Sequence, residues 1–312
     1  MAFLYALPGA VAEGLIWGLM AIGVYISYKI LDIADLTVDG SICTGACVCA
    51  VLLGMGVAPW LSVLIAFAAG ALTGVVTGLL HTVLGIPSIL AGILTQLMLY
   101  SVNLLILGGK SLMAIDPRAN QLLVHMSDNP GAILSLAVIV TATIVVLWIF
   151  FYTEVGLTLK STGDNPDMSR AQGVDVDFNK VLGLAIDNGI VALSGALLAQ
   201  YKGSANINDG RGAIVIGLAA IFIGLSVSMR IKPNFVVSLI GVISGGIVYY
   251  IVYNFVILMG LKTDYLKMLS AIIVALFLAV PNLKEKYFTK HKDPHPHAAS
   301  SRENRTGGDA NA

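Results

Sequence analysis

The stretch Ser88 to Leu107, SILAGILTQLMLYSVNLLIL, contains no charged side chain. An α-helix rises about 1.5 Å per residue, so about 20 apolar residues cross a hydrocarbon core about 30 Å thick. A charge-free run of that length reads as a membrane span. Comparable runs follow one another: Gly9 to Leu31, Gly40 to Val57, Trp60 to Leu84, Ser88 to Leu107, Gly131 to Tyr152, Lys180 to Tyr201, Ala213 to Met229, Phe235 to Leu258 and Tyr265 to Pro281. The expected fold is an all-α, polytopic transmembrane helical bundle of eight or nine spans occupying residues 1–283.

Composition supports this. Hydrophobic residues make up 57% of the chain and charged residues 12%, against about 45–50% and about 25% in an ordinary soluble domain. Eighteen Lys and Arg balance eighteen Asp and Glu, so no global charge attracts nucleic acid. The expected surroundings are membrane lipid. MAFLYALPGA at the start holds no Lys or Arg, so the charged region of a cleaved signal is missing and the first run is expected to remain as an anchor.

The Lys and Arg bias orients the chain. If Thr153 to Asn179 is cytoplasmic, alternating spans also place Lys29, Arg230, Lys232 and the tail's Lys284, Lys286, Lys290 and Lys292 inside. Lys110, Arg118, Lys202, Arg211, Lys262 and Lys267 then lie outside. The tail tips this balance, giving an outer N-terminus and an inner C-terminus. Residues 284–312, rich in Lys, His, Pro, Ser and Gly, cannot build a core and are expected to be a disordered cytoplasmic tail.

Two stretches put polar residues at membrane depth. ILDIADLTVDGS, Ile30 to Ser41, interleaves acids with apolar residues, as in backbone held at membrane depth, which must be buried in protein or line a cavity. It is expected to be a re-entrant or broken segment near 32–41. An extended run would turn Asp35, Thr37, Asp39 and Ser41 to one side, towards a solute in the translocation pathway. Alternatively Asp39 or Ser41 caps the second helix. The second stretch, Gly183 to Ala213, holds Asp187 and Asn188 about two turns into a span, where a carboxylate must face protein or water. Ser194, Gly195 and Ala196 further along, and the stripe Gly70, Gly74 and Gly78, suit close helix packing. Gly241, Gly245 and Gly246 repeat that device.

Several chemistries are disfavoured. Cys43, Cys47 and Cys49 lie in one apolar run without His or carboxylate between them, so they are expected to pack rather than bind metal. His291, His295 and His297 lie in the polar tail, where solvation is the plain explanation. No phosphate-binding G-x-x-x-x-G-K-[ST], no H-E-x-x-H and no matched Ser, His and Asp set is present, with His81 and His125 on opposite sides. No enzyme is expected, and no selectivity-filter motif marks a channel.

The polar run TEVGLTLKSTGDNPDMSRAQGVDV, Thr153 to Val176, reads as a short helix across the membrane face. Gly163 breaks the chain, Asp164 or Asn165 caps, Pro166 opens the helix and Gly173 ends it. GDNPDMSRAQGVDV here resembles the cytoplasmic loop of ABC importer permeases of the branched-chain amino acid and ribose type. GLMAIGVYISYKILDIADLTVDGSICTGACV and ALSGALLAQYKGSANINDGRGAIVIGLAAIFIG are similar to other parts of that family. DLTVDGS with STGDNPDMSRAQGV is closest to a bacterial branch linked to tryptophan and tyrosine substrate-binding lipoproteins. Lys160 and Ser169 depart from the Arg and Ala frequent in relatives.

The resemblance implies a bacterial inner-membrane permease, paired with a second copy or a close relative, with a separate ATP-binding subunit that holds ATP and Mg and an outer solute-binding protein. No cofactor is implied in this chain. Gly163, Asp164, Asn165, Pro166, Asp167, Met168, Ser169, Arg170 and Gly173 would form the coupling helix. Lys110, Arg118, Lys202 and Arg211 would face the binding protein. The solute would be an aromatic or branched-chain amino acid, with a sugar or nucleoside as an alternative. The competing class is a secondary transporter coupled to an ion gradient through intramembrane carboxylates such as Asp187.

Overall fold

A computed structural model of the 312-residue chain describes residues 2–116, 122–126, 129–228 and 234–258, together with Met268, Ala271, Ile272 and Ala275. Apart from those last four residues, the expected ninth span lies outside the described residues, as do the tail, Arg118, Arg230, Lys232, Lys262 and Lys267.

The apolar runs fold as helices: α1 (Ala2–Tyr25), α2 (Val38–Gly54), α3 (Pro59–Thr82), α4 (Ser88–Ile106), α5 (Asn129–Phe151), α8 (Val176–Lys202), α9 (Ala213–Ser228) and α10 (Phe235–Leu258). Among the described residues, six helical stretches are long and apolar enough to cross a membrane, and α2 and α9 are shorter apolar helices. The structure is therefore that of a polytopic helical protein. One addition is small. Strands β1 (Leu112–Ala114) and β2 (Ser204–Asn206) pair antiparallel, Met113 opposite Ala205, so the all-α expectation misses a two-stranded ribbon.

The polar loop folds as two helices, α6 (Glu154–Asp164) and α7 (Pro166–Ala171). Thr153 caps the first by accepting the Gly156 N–H at 3.3 Å, and Asn165 caps the second by accepting the Met168 N–H at 2.9 Å. Gly173 at φ 83° ends the run, a conformation that glycine adopts without a Cβ clash. Gly163 does not break the chain, contrary to expectation. It lies inside α6, where a Cβ would overlap the Ile30 carbonyl, so glycine serves close approach there.

α8 is the central post, packed against α1, α2 and α3 and buried along most of its length. The glycine stripe of α3 faces it. A Cβ at Gly70 would meet Ala192 and the Asn188 carbonyl, at Gly74 the Leu184 carbonyl, and at Gly78 Val181. Missing side chains let the two backbones touch, which gains dispersion energy where lipid offers no hydrophobic drive. Ser194 Oγ donates to the Ile16 carbonyl at 2.7 Å, fixing α1 on another face. The glycines of α10 work similarly, Gly246 against Gly14 and Gly18 of α1 and Gly245 against Ala220 of α9.

Candidate functional site: a buried polar seam at a broken helix

The first helix ends in a single π-helical turn, Ile26–Ile30. Leu31 N–H closes it on the Ile26 carbonyl at 3.0 Å, and Ile33 N–H reaches Ser27 at 2.9 Å. Asp32 then takes the left-handed conformation at φ 53°, one that Asp tolerates better than most side chains. Residues 31–36 carry no regular structure before α2 begins. The expected break is therefore present, but it is shorter than 32–41, and Asp39 and Ser41 already stand on a helix.

This geometry corrects the expectation of one shared direction. Asp35 turns back, and its Oδ1 accepts the Thr37 N–H at 2.8 Å, so Asp35 serves the start of α2 that Asp39 or Ser41 was expected to cap. Asp39 points elsewhere. Its carboxylate accepts the Gly212 N–H at 2.8 Å and the Ile214 N–H at 3.0 Å, the free donors that open α9. A carboxylate at a helix N-terminus satisfies orphan N–H groups and meets the positive end of the helix dipole.

Asp35, Thr37 and Ser41 join a seam of buried polar groups. Asn188 of α8 donates Nδ2–H to Asp35 Oδ2 at 2.6 Å and accepts the Ser41 hydroxyl at Oδ1, also at 2.6 Å. Ser41 shares a hydrogen bond with Thr73 of α3 at 2.7 Å. Thr37 meets Thr77 at 2.8 Å, and Thr77 donates to Thr95 of α4 at 3.0 Å. Five pieces of chain thus converge on one network: the break, α2, α3, α4 and α8. Every member is at most 6% exposed, and a satisfied buried network fixes one arrangement because each broken bond strands a polar group.

Asp187 stands apart. It is fully buried, three turns into α8 because that helix starts at Val176 rather than Lys180. Neither carboxyl oxygen reaches a hydrogen-bond partner among the described residues. It faces protein, against Gly23 of α1. A cavity of about 170 Å³, lined partly by Ser27, Tyr28, Asp35 and Ile214, opens beside the break.

Sequence reasoning named Asp35, Thr37, Ser41 and Asn188 but missed Thr73, Thr77 and Thr95. A signal exists: Thr73 and Thr77 sit four apart among Gly70, Gly74 and Gly78, so one face of α3 carries both the close contact and the hydroxyls. Cys43, Cys47 and Cys49 are buried free thiols. Cys43 Sγ donates to the Ile207 carbonyl at 3.3 Å and accepts the Gly210 N–H at 3.1 Å, tying α2 to the link before α9.

Of the expected outer cations, Lys110, Lys202 and Arg211 are described, and all three are exposed. Lys110 precedes β1, Lys202 lies 3.8 Å from Asp209, and Arg211 stands 5.9 Å over the Tyr100 ring. At the opposite end of α8, Asp164 to Met168 and Arg170 are exposed, whereas Ser169 is buried. Ser169 Oγ donates to Ser161 at 3.3 Å, Asn179 Nδ2–H donates to Thr162 at 3.0 Å, and Gly163 abuts Ile30. α7 therefore bears on α6, and α6 bears on the turn that precedes Asp35. Arg170 lies 3.5 Å from Asp177 and 3.8 Å from Asp167, both exposed pairs of small energetic weight.

Residues 9–280 match a family described as the permease component of the branched-chain amino acid transport system. A tyrosine transport system permease protein of Clostridioides difficile is 38% identical over 87% of this chain and 90% of its own length. An uncharacterized protein of Rickettsia prowazekii is 32% identical over 89% of this chain and 97% of its own. The autoinducer 2 import system permease protein LsrC of Escherichia coli is 29% identical over 60% and 55%. No solved structure gives a significant match.

Proposed function

Because this chain belongs to the family of branched-chain amino acid transport system permease components, we propose that it is the membrane subunit of a binding-protein-dependent, ATP-driven amino-acid importer. The observation that carries the amino-acid assignment is its 38% identity, along nearly its whole length, to a permease named for tyrosine transport. The solute is an aromatic or branched-chain amino acid.

In this reading the chain sits in a bacterial inner membrane with nine spans, its N-terminus outside and its C-terminus inside. Residues 1–283 form the permease and 284–312 a cytoplasmic tail. Two copies build the pathway. The chain itself hydrolyses nothing, since a separate ATPase subunit binds ATP and Mg.

α7 is the coupling helix. Its exposed side, with Asp164 and Asn165 just before it, offers mixed charge and an apolar Met168 that is 60% exposed, a surface suited to a groove on a soluble partner. Motion of α7 passes through the Ser169–Ser161 contact and Gly163 to Ile30, then into the break that carries Asp35. The polar seam would switch between two arrangements as access alternates. Asp35, Thr37, Asp39, Ser41, Asp187 and Asn188 belong to the moving parts of the pathway. Lys110, Arg118, Lys202 and Arg211 form the outer rim that meets the binding protein, where charges mainly govern encounter rate.

The test is uptake of labelled amino acids when ATP hydrolysis is blocked while the membrane gradient is held. Uptake should stop. Uptake that followed the gradient alone would transfer the assignment to a secondary transporter, a reading favoured by one observation, the unpartnered buried carboxyl of Asp187.

A further inference from the structure

A cavity of about 270 Å³ lies between α2, α4 and the link before α9, and Asp39, Gln96, Tyr100, Asn103 and Arg211 line it. That volume falls just below the roughly 300 Å³ at which drug-sized pockets begin, so it suits a smaller solute. Its chemistry is divided. Its lining includes an acid, Asp39, and a cation, Arg211, with Leu97 and Ile207 as apolar lining.

Asn103 gives the second observation. It is 1% exposed, its Nδ2–H donates to the Gly40 carbonyl at 3.4 Å, and its Oδ1 has no hydrogen-bond partner among the described residues. Buried polar atoms are nearly always satisfied, and this orphan acceptor belongs to a residue that lines the cavity, so a donor brought by a ligand would complete it. Asp39 keeps spare acceptor capacity as well, because a carboxylate has about four lone-pair sites and the start of α9 does not exhaust them. Arg211 makes no ion pair among the described residues, and its guanidinium rests over the Tyr100 ring.

We propose that this cavity holds the zwitterionic head of an amino acid, its ammonium on Asn103 Oδ1 and Asp39, its carboxylate on Arg211 and its side chain along Tyr100 and Leu97. Acceptors and a cation in one lining match the two charges of an α-amino acid and mismatch a sugar, which carries neither. The proposal rests on the amino-acid reading above and moves Arg211 from the rim to the solute. It also brings in Gln96, Tyr100 and Asn103, none of which the sequence marked. Asp39 then connects the occupied cavity to α9, since the same carboxylate holds that helix start.

The experiment is uptake of labelled tyrosine, tryptophan, leucine and ribose by cells carrying the complete transporter, with membrane abundance measured beside it. Arg211→Gln and Tyr100→Ala alter exposed side chains and should not disturb folding, and Asn103→Leu removes the orphan acceptor. Each should lower amino-acid uptake at least about tenfold at unchanged abundance, the scale of one lost charged or buried polar contact. Normal uptake by all three variants, with the wild type carrying an amino acid, overturns this site and leaves the importer reading standing. Loss confined to Arg211→Gln returns that residue to binding-protein docking and likewise overturns the site. If Asn103→Leu fails to reach the membrane, the other two variants decide. Uptake of ribose and none of the amino acids by the wild type overturns the amino-acid reading itself.

Discussion

Asp39 and Gly212 lie 173 positions apart, and the carboxylate of the first accepts the backbone N–H of the second at 2.8 Å. With the Ile214 N–H at 3.0 Å, the first turn of α2 supplies the cap that α9 lacks in its own sequence, where Gly212 precedes Ala213. The start of one helix therefore depends on the position of another.

Asp39→Ala should cost about 1–2 kcal/mol, the scale of a lost N-cap, and Asp39→Asn less, because its amide oxygen still accepts one of the two bonds. Thermal unfolding of the purified protein checks the order. A melting temperature unchanged in Asp39→Ala would show that α9 is capped from elsewhere.

Asn188→Leu should destabilise by about 1.5–3 kcal/mol, since it strips a hydrogen bond from the Asp35 carboxylate and another from Ser41. Adding Asp35→Asn should then cost less than it does alone, because residues in one network are not additive. A double-mutant cycle on unfolding midpoints measures this, and strict additivity would mean that Asp35 and Asn188 are not coupled.

Gly74→Ala places a methyl group against the Leu184 carbonyl. Overpacking of this kind typically costs about 1–3 kcal/mol, whereas Val76→Ala, on the exposed side of α3 at 43%, should change stability little. Equal melting temperatures for the two variants would contradict the close α3–α8 contact.

Alanines in place of Asn165 to Arg170 should remove the Asn165 cap and the Ser169–Ser161 contact. Membrane insertion should persist, while ATP hydrolysis in the assembled transporter no longer drives uptake. Transport at the wild-type rate would remove the coupling role from α7.

The sequence made some of this legible because membrane burial is written in length and charge. Eight of the expected runs appear as apolar helices, and Asp35 and Asn188 stood out because polar groups are expensive at depth. Thr73, Thr77 and Thr95 did not, since a threonine can satisfy its own hydroxyl on the preceding turn and so costs a buried helix little. Each of these three does bond back to its own helix as well. The direction of Asp39 was hidden for another reason: its partners are backbone donors of a distant helix, and no side-chain pattern announces them. One short helix was expected where α6 and α7 stand, and Gly163 was read as a breaker because close approach to Ile30 cannot be seen along the chain.

The short ribbon of β1 and β2 has a mechanical meaning. Leu112–Ala114 belongs to the connection between α4 and α5, and Ser204–Asn206 to the connection between α8 and α9. Stitched edge to edge, these two connections cannot be displaced separately without tearing main-chain hydrogen bonds. A push on either one is felt as a pull on the central post and on the helix that Asp39 holds.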